Sequence, residues 1–560
     1  MRSIAWTVAL VTLLGASTQA QKEQKEERRD FSPFYWSQSQ QFMSPYASTG
    51  KMEQIGRTGV AAMHATLLNE NKILIIDKAE WNEAQFDSGQ SAFSVEYDLE
   101  TNDYRLLPLE TNTFCSGGGF LGNGTFISTG GGERVGRTWK AAPGWQSIRH
   151  FNPSLDGSSE WNEFTTGKMV ENRWYPTVET LPEGDLFIIG GSIKGAAVNR
   201  DEINVPSYEF WPPRSQGIVD MPFLNETMPY NLYPFTFVLP DGNMFIFANN
   251  QSIIFDYNNN KVVKRLPDIP GVPRSYPLTG GALMLPLDPA NDYNVEILIC
   301  GGSEKMKNNA VADDTCGRIN LGDENPKWEM DTFVHKRLMP DGVFLPDGTI
   351  FWANGCQRGW AGYNGRNHDP TFEPLIYNPD EKKGERWTTG LADTNIARMY
   401  HSVALTIPDG RVWIAGSNSV SPPDVLAEYP TEFRVEYYSP PYLFKSATRP
   451  LISHVPRAVT YGQSFDILVN LGELAQAGSD PEIKVAILRP GFSTHSMHMS
   501  QRYVVLKHTI DSDLQSITIE APPNANIFPP GSGFLYVLCN GVPAKGAELF
   551  VEHNVEDLMI

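Results

Sequence analysis

Three short stretches of this 560-residue sequence carry side chains that together can hold a transition metal. Tyr175 lies in Glu171-Asn-Arg-Trp-Tyr-Pro-Thr-Val178, the pair Tyr400-His401 in Ala397-Arg-Met-Tyr-His-Ser-Val-Ala404, and His495 in Ser493-Thr-His-Ser-Met-His498. Tyr175 stands nine residues before Gly184 and Tyr400 roughly so before Gly410, both turn glycines, which makes the two tyrosines candidates for equivalent places in a repeat. Two imidazoles and two phenolates form an N2O2 set, which favours a tetragonal Cu(II) site. Each residue also has an ordinary role: an aromatic beside proline packs a core, and a single histidine is commonly structural. With ten His and 21 Tyr in the chain, accidental combinations abound. Successive strand residues face opposite sides. Tyr400 and His401 can therefore share an ion only on irregular backbone just before a strand, and His495 is expected on a loop after the strand that begins at Ile483.

The elements that must position these groups are written in a repeat. Leu181-Pro-Glu-Gly-Asp-Leu-Phe-Ile-Ile-Gly-Gly191 returns as Leu239-Pro-Asp-Gly-Asn-Met-Phe-Ile-Phe-Ala-Asn249, Leu345-Pro-Asp-Gly-Thr-Ile-Phe-Trp-Ala-Asn-Gly355 and Ile407-Pro-Asp-Gly-Arg-Val-Trp-Ile-Ala-Gly-Ser417. Weaker copies begin at Gly122, Val295 and Asn71. Pro fixes φ and Gly accepts positive φ, so the phrase is a hairpin turn between apolar strands. A period near fifty residues with a hairpin and a glycine pair matches kelch-type blades. Seven copies predict a seven-bladed β-propeller over residues 46–440. Beyond Tyr437-Tyr-Ser-Pro-Pro-Tyr-Leu443, alternating segments such as Phe465-Asp-Ile-Leu-Val469 lack the phrase and predict an immunoglobulin-like β-sandwich over 441–560. The fold class expected is all-β.

Composition narrows the function. With 45 Lys and Arg against 65 Asp and Glu, the net charge of −20 argues against a nucleic-acid or anionic-membrane binder. Arg2, the apolar run Ile4 to Gly15 and the small residue Ala20 read as a secretory signal peptide over 1–20, followed by a polar leader over 21–45. The expectation is a secreted, extracellular protein with no membrane span. Asn123, Asn225 and Asn250 head glycan-acceptor triplets. Export makes five cysteines informative, because one is left over. Cys300 and Cys316 are the easiest pair, Cys356 and Cys539 would form a long-range bridge, and Cys115 remains, although the connectivity stays open from spacing alone.

Taken together, Phe114-Cys115-Ser-Gly-Gly, Arg173-Trp-Tyr175-Pro-Thr, Met399-Tyr400-His401-Ser and Thr494-His495-Ser resemble the copper radical oxidases. The closer branch is glyoxal oxidase, with galactose oxidase more distant. The likeness extends over nearly the whole mature chain, including Gly59-Val-Ala-Ala-Met-His64, Ile75-Ile-Asp-Lys78 and Tyr276-Pro-Leu-Thr-Gly280. It implies one copper ion held by Tyr175, Tyr400, His401 and His495, with Cys115 joined to Tyr175 through a thioether. It further implies that Tyr400 accepts the substrate's proton, while a radical on the linked Tyr175 ring takes a hydrogen atom.

The activity implied is oxidation of small aldehydes such as glyoxal or methylglyoxal to carboxylic acids, with O2 reduced to H2O2. No partner is implied beyond substrate, O2 and extracellular peroxide-consuming enzymes, and the chain is expected to be a monomer. One departure stands out. Galactose oxidase stacks an indole over its cross-linked ring from the residue after a Gly-Gly-Ser, where this chain has Ile193. That change favours aldehyde over galactose. A primary-alcohol or galactose-type oxidase is the alternative within the family, and a non-catalytic kelch binding module is the alternative outside it. Arg173, Trp174 and Gln357-Arg358 lie beside these motifs without an assigned role.

Overall fold

Five of the repeated turns place a glycine at φ between 84° and 90°: Gly124, Gly184, Gly242, Gly348 and Gly410. A side chain is strained there, which is why glycine closes each of these hairpins. The structure, a computed structural model, describes residues 44–554 apart from 137–138, 164–166, 196–197, 447 and 476–479. The expected signal peptide and all but the end of the polar leader lie outside the described residues.

Each hairpin is the first half of a four-stranded antiparallel meander. Thr177–Thr180, Leu186–Ile189, Ser207–Trp211 and Val219–Asp220 form one such sheet, and Phe235–Val238 opens the next. Among the described residues seven sheets of this kind follow one another along the chain. The seventh is completed from the other end of the sequence: Lys51–Arg57 pairs antiparallel with Arg434–Ser439. First strands of neighbouring sheets lie side by side, Gly117–Phe120 by Thr177–Thr180, Thr177–Thr180 by Phe235–Val238, and Val403–Thr406 by both Asp341–Phe344 and His64–Leu67. Covered on both faces, these first strands are buried at nearly every position and show no polar alternation. The α-helix of the described residues is confined to Phe223–Glu226.

The C-terminal region builds two further sheets. One runs Leu451–His454, Ser464–Asn470, Ser516–Glu520 and His508–Ile510; the other is centred on Gly531–Cys539 and Ile483–Arg489. Ser464–Asn470 alternates exposed and buried residue by residue, as a strand with one wet face must.

From this region a hairpin, Phe492–Thr494 and Met497–Met499, leaves its own sheets and pairs with His64–Leu67. It touches the first strands of six of the seven sheets. Gln501 locks it there, with Oε1 accepting from Phe344 N at 3.1 Å and Nε2 donating to Gly342 O at 3.3 Å.

Cys300 and Cys316 form a disulfide between directly opposed residues of adjacent strands. The expected Cys356–Cys539 bridge is absent, and both are buried free thiols. Cys356 is bonded to Leu338 through both backbone groups at 2.8 and 2.9 Å, and its thiol donates to Arg358 O. Cys539 pairs with Ile483 and Val542 in the C-terminal sheet. Each belongs to a strand held in its own sheet, so the pairing reasoned from parity fails on geometry. Asn123 and Asn225 are exposed, while Asn250 is half-buried. No described helix is long and apolar enough to cross a membrane.

Candidate metal centre

The residue two places before the first strand takes the left-handed conformation in five sheets. These residues are Cys115 (φ 55°), Tyr175 (64°), Tyr233 (48°), Met339 (59°) and His401 (62°). Each stands nine residues before its turn glycine, so the count that singles out Tyr175 also indexes Cys115 and Tyr233. It corrects one expectation: the equivalent of Tyr175 is His401, and Tyr400 is one residue earlier. A non-glycine residue at positive φ is uncommon and persists where surroundings enforce it. Here neighbouring sheets do so through their backbones, with Tyr175 N donating to Cys115 O at 3.0 Å and Tyr233 N to Tyr175 O at 3.2 Å.

Buried arginines complete the enforcement. Arg173 donates Nη1 to Gly190 O (2.9 Å) and Ser207 O (3.0 Å) and Nε to Glu209 (2.8 Å). Arg398 repeats this with Gly416 O and Glu436, and Arg149 with Gly130 O beside Glu163. Arg173 is thus a clamp on the backbone that carries Tyr175. Arg358 pairs with Asp369 on the surface.

The side chains so placed converge. His401 Nε2 and His495 Nε2 are 3.0 Å apart, and Cys115 Sγ is 3.4 Å from the same His495 nitrogen. The ligand atoms of these three residues lie within 4.8 Å of one another. His495 (φ 48°) sits at the turn of the inserted hairpin, so a residue expected on a loop is carried into the middle of the sheets. Its Nδ1 is 2.6 Å from Thr494 Oγ1, which fixes the ring and leaves Nε2 facing His401. Tyr400 stacks on His401 with centroids 3.6 Å apart, and its carbonyl accepts from Ser417 Oγ and Asn418 N, both at 2.9 Å. Tyr175 lies edge-on to His495 at 6.2 Å, and the Cys115 thiol contacts the Tyr175 and Trp174 side chains.

Burial governs the charges. His401 and His495 are held well below the usual histidine range, first by desolvation, so both are neutral with lone pairs free to ligate. Desolvation pushes Tyr175 and Tyr400 well above the phenol range, so these phenols ionise only beside a cation. Two neutral imidazole nitrogens at 3.0 Å with two buried phenols alongside fit a divalent metal of borderline softness, and among these copper accepts an N2O2 set.

Three aromatic residues near this cluster carried no role in the sequence. Ile193, a third exposed, brings no ring to stack on Tyr175. The indole that does run parallel to it is Trp174, at 5.8 Å and 11°, seated where Gly132 and Gly195 leave room. Tyr276 stacks on Tyr175 at 4.9 Å and places its hydroxyl 2.8 Å from that of Tyr400. Tyr363 Oη is 3.4 Å from His401 Nδ1.

Comparisons with known proteins place the chain in one family. A family model described as glyoxal oxidase N-terminus matches residues 63–442, and one described as galactose oxidase-like, early set domain matches 449–551. Aldehyde oxidase GLOX of Vitis pseudoreticulata is 35% identical over 522 residues, 88% of this chain and 94% of that protein. An aldehyde oxidase of Arabidopsis thaliana is 35% identical over 87% of this chain and 82% of its own length. Galactose oxidase of Gibberella zeae is 26% identical over 80% of this chain and 62% of its own. Among solved structures, a fungal alcohol oxidase in complex with copper superposes with a TM-score of 0.70. It covers 90% of this chain and 100% of that one at 19% identity, a likeness of fold.

Proposed function

The chain belongs to the glyoxal oxidase family, and from that membership we propose that it is a secreted copper radical oxidase acting on small aldehydes. The observation that carries the reading is the 3.0 Å approach of His401 Nε2 and His495 Nε2, with Tyr175, Tyr400 and the unpaired Cys115 around them. His401, His495, Tyr175 and Tyr400 would hold one copper ion, and Cys115 would join Tyr175 through a thioether. Copper, once bound beside the linked phenol ring, would supply a two-electron acceptor, with dioxygen as the final oxidant and hydrogen peroxide as its product.

The chain's own groups do the rest. Tyr400, fixed by Ser417 and Asn418, takes the proton of the substrate hydroxyl as general base. The Tyr175 ring receives the hydrogen atom from carbon. An aldehyde enters as its hydrate and leaves as an acid, and the burial of all four ligand residues keeps bulk water away. Support for an aldehyde comes from relatives named aldehyde oxidase at 35% identity, against 26% for galactose oxidase.

The same reading extends to the architecture. Side-by-side first strands around one inserted hairpin, with the seventh sheet completed by Lys51–Arg57, support a seven-bladed propeller over 46–440. The two sheets beyond it support an immunoglobulin-like sandwich over 441–560. Export through residues 1–20, glycans at the exposed Asn123 and Asn225, and a monomeric state belong to the proposal.

Oxygen uptake and peroxide release by copper-loaded protein, screened over aldehydes, primary alcohols and sugars, test it. Glyoxal or methylglyoxal should be turned over fastest, and His495→Ala should lower copper from near one per chain towards zero. Full copper without aldehyde turnover in the native chain defeats the reading.

A further inference from the structure

Tyr276 belongs to neither the proposed ligands nor the thioether, yet it touches more of the cluster than any residue outside them. It precedes the strand Gly281–Met284 and is almost completely buried. Its ring stacks on Tyr175 at 4.9 Å and 26°, faces Tyr400 at 6.4 Å and 30°, and stands edge-on to His495 at 5.3 Å. Its hydroxyl lies 2.8 Å from Tyr400 Oη.

We propose that Tyr276 is a positioning residue that holds the Tyr400 oxygen in place while Tyr400 exchanges a proton with substrate. The inference rests on the copper-oxidase reading and goes beyond its ligand set. A phenol has one hydrogen and two lone pairs. When Tyr400 presents a bare oxygen, that oxygen can only accept, so the hydrogen between the two phenols is the one on Tyr276. When Tyr400 carries the substrate's proton, the direction can reverse and the contact survives. One buried hydroxyl thus restrains the base in both of its states, where no solvent stands ready to replace it. The stack on Tyr175 ties the same residue to the ring that takes the hydrogen atom.

Tyr276→Phe removes a single oxygen and keeps the ring, the stack and Pro277. Copper content should stay near one per chain, because both imidazoles remain. The phenolate-to-copper absorption of the loaded protein should shift. With glyoxal, kcat should fall roughly 10- to 100-fold, the usual worth of a hydrogen bond to a charged oxygen, with KM changed less than about threefold. Tyr503→Phe is the control: it deletes an equally short buried phenol bond, 2.8 Å to Pro346 O, away from the cluster, and should leave spectrum and kcat unchanged.

A Tyr276→Phe protein with native absorption and kcat within about twofold overturns the proposal. So does one that fails to fold or loses copper, since Tyr276 would then serve packing alone. Native protein that binds copper but oxidises nothing defeats the oxidase reading, and this inference with it. Native turnover beside an indistinguishable Tyr276→Phe defeats the inference alone.

Discussion

The segment before Thr177–Thr180 and the segment before Asp341–Phe344 are two copies of one device. Arg173-Trp-Tyr175-Pro176 and Arg337-Leu-Met339-Pro340 each put a buried arginine, a left-handed residue and a proline ahead of a first strand. They end in different side chains, a phenol in one and a thioether in the other. They are also anchored differently. Arg173 meets the carboxylate of Glu209 as well as two carbonyls. Arg337 reaches only Asn354 O (2.9 Å) and Glu373 O (2.7 Å), and its Nε has no partner. Desolvation pulls Arg337 down to about 9, opposed by the charge of Glu373, which makes no ion pair with it.

The arginines beside Cys115 and Tyr400-His401, namely Arg149 and Arg398, follow the Arg173 pattern, each with a buried glutamate. Framework and chemistry are therefore separable, and the sheets that bring Cys115, Tyr175 and Tyr400-His401 each carry a buried arginine–glutamate pair. Such pairs are weak evidence for net stability but fix one geometry. A radical site needs that fixity more than it needs stability.

Removing chemistry from an intact framework should have the largest effect. Cys115→Ser should fold and keep copper, because sulfur is not a proposed ligand. It should lose aldehyde turnover by on the order of 10³-fold or more, equivalent to about 4 kcal/mol of barrier. Intact mass of copper-matured native protein should be two hydrogens below the copper-free form, and a Cys115–Tyr175 peptide should survive thiol reductants. Native-rate turnover by Cys115→Ser would sink the radical mechanism.

Breaking the framework beneath chemistry comes next. Arg173→Met strands the Glu209 carboxylate in the interior and should cost about 3–5 kcal/mol. Arg337→Met leaves only carbonyls unsatisfied and should cost about 1–3 kcal/mol. Thermal unfolding of the two variants in parallel checks the order, and equal losses would erase the distinction between the anchored and unanchored copies. Met339→Leu should be the mildest, under about 1.5 kcal/mol, with turnover within about twofold of native.

How far the sequence could be read follows from the same device. Where a Pro-Glu-Gly, Pro-Asp-Gly or Gly-Asn-Gly turn marks the hairpin, counting back nine residues finds the left-handed position, so Tyr175, Cys115 and His401 are legible. In the fifth sheet the first two strands are joined by residues 285–295, which lack that turn, and Tyr276 goes unindexed. His495 was legible as a residue but not as a place, because strand periodicity within one region says nothing of its insertion between strands of another. Trp174 precedes Tyr175 directly, and only the left-handed turn between them brings the two rings parallel. The cysteines mislead for a related reason: parity counts thiols without knowing which strands meet.

The inserted hairpin also sets an order of events during synthesis. Cys115, Tyr175, Tyr400 and His401 are all in place on the nascent chain before Phe492 has been made, and His495 follows His401 by 94 residues. A ribosome that stalls earlier, or a protease that clips the C-terminal sheets away, releases a chain with one imidazole and no second. Such a fragment has no means of generating peroxide. Assembly of the two-imidazole site is thereby coupled to synthesis and docking of the hairpin over residues 492–499.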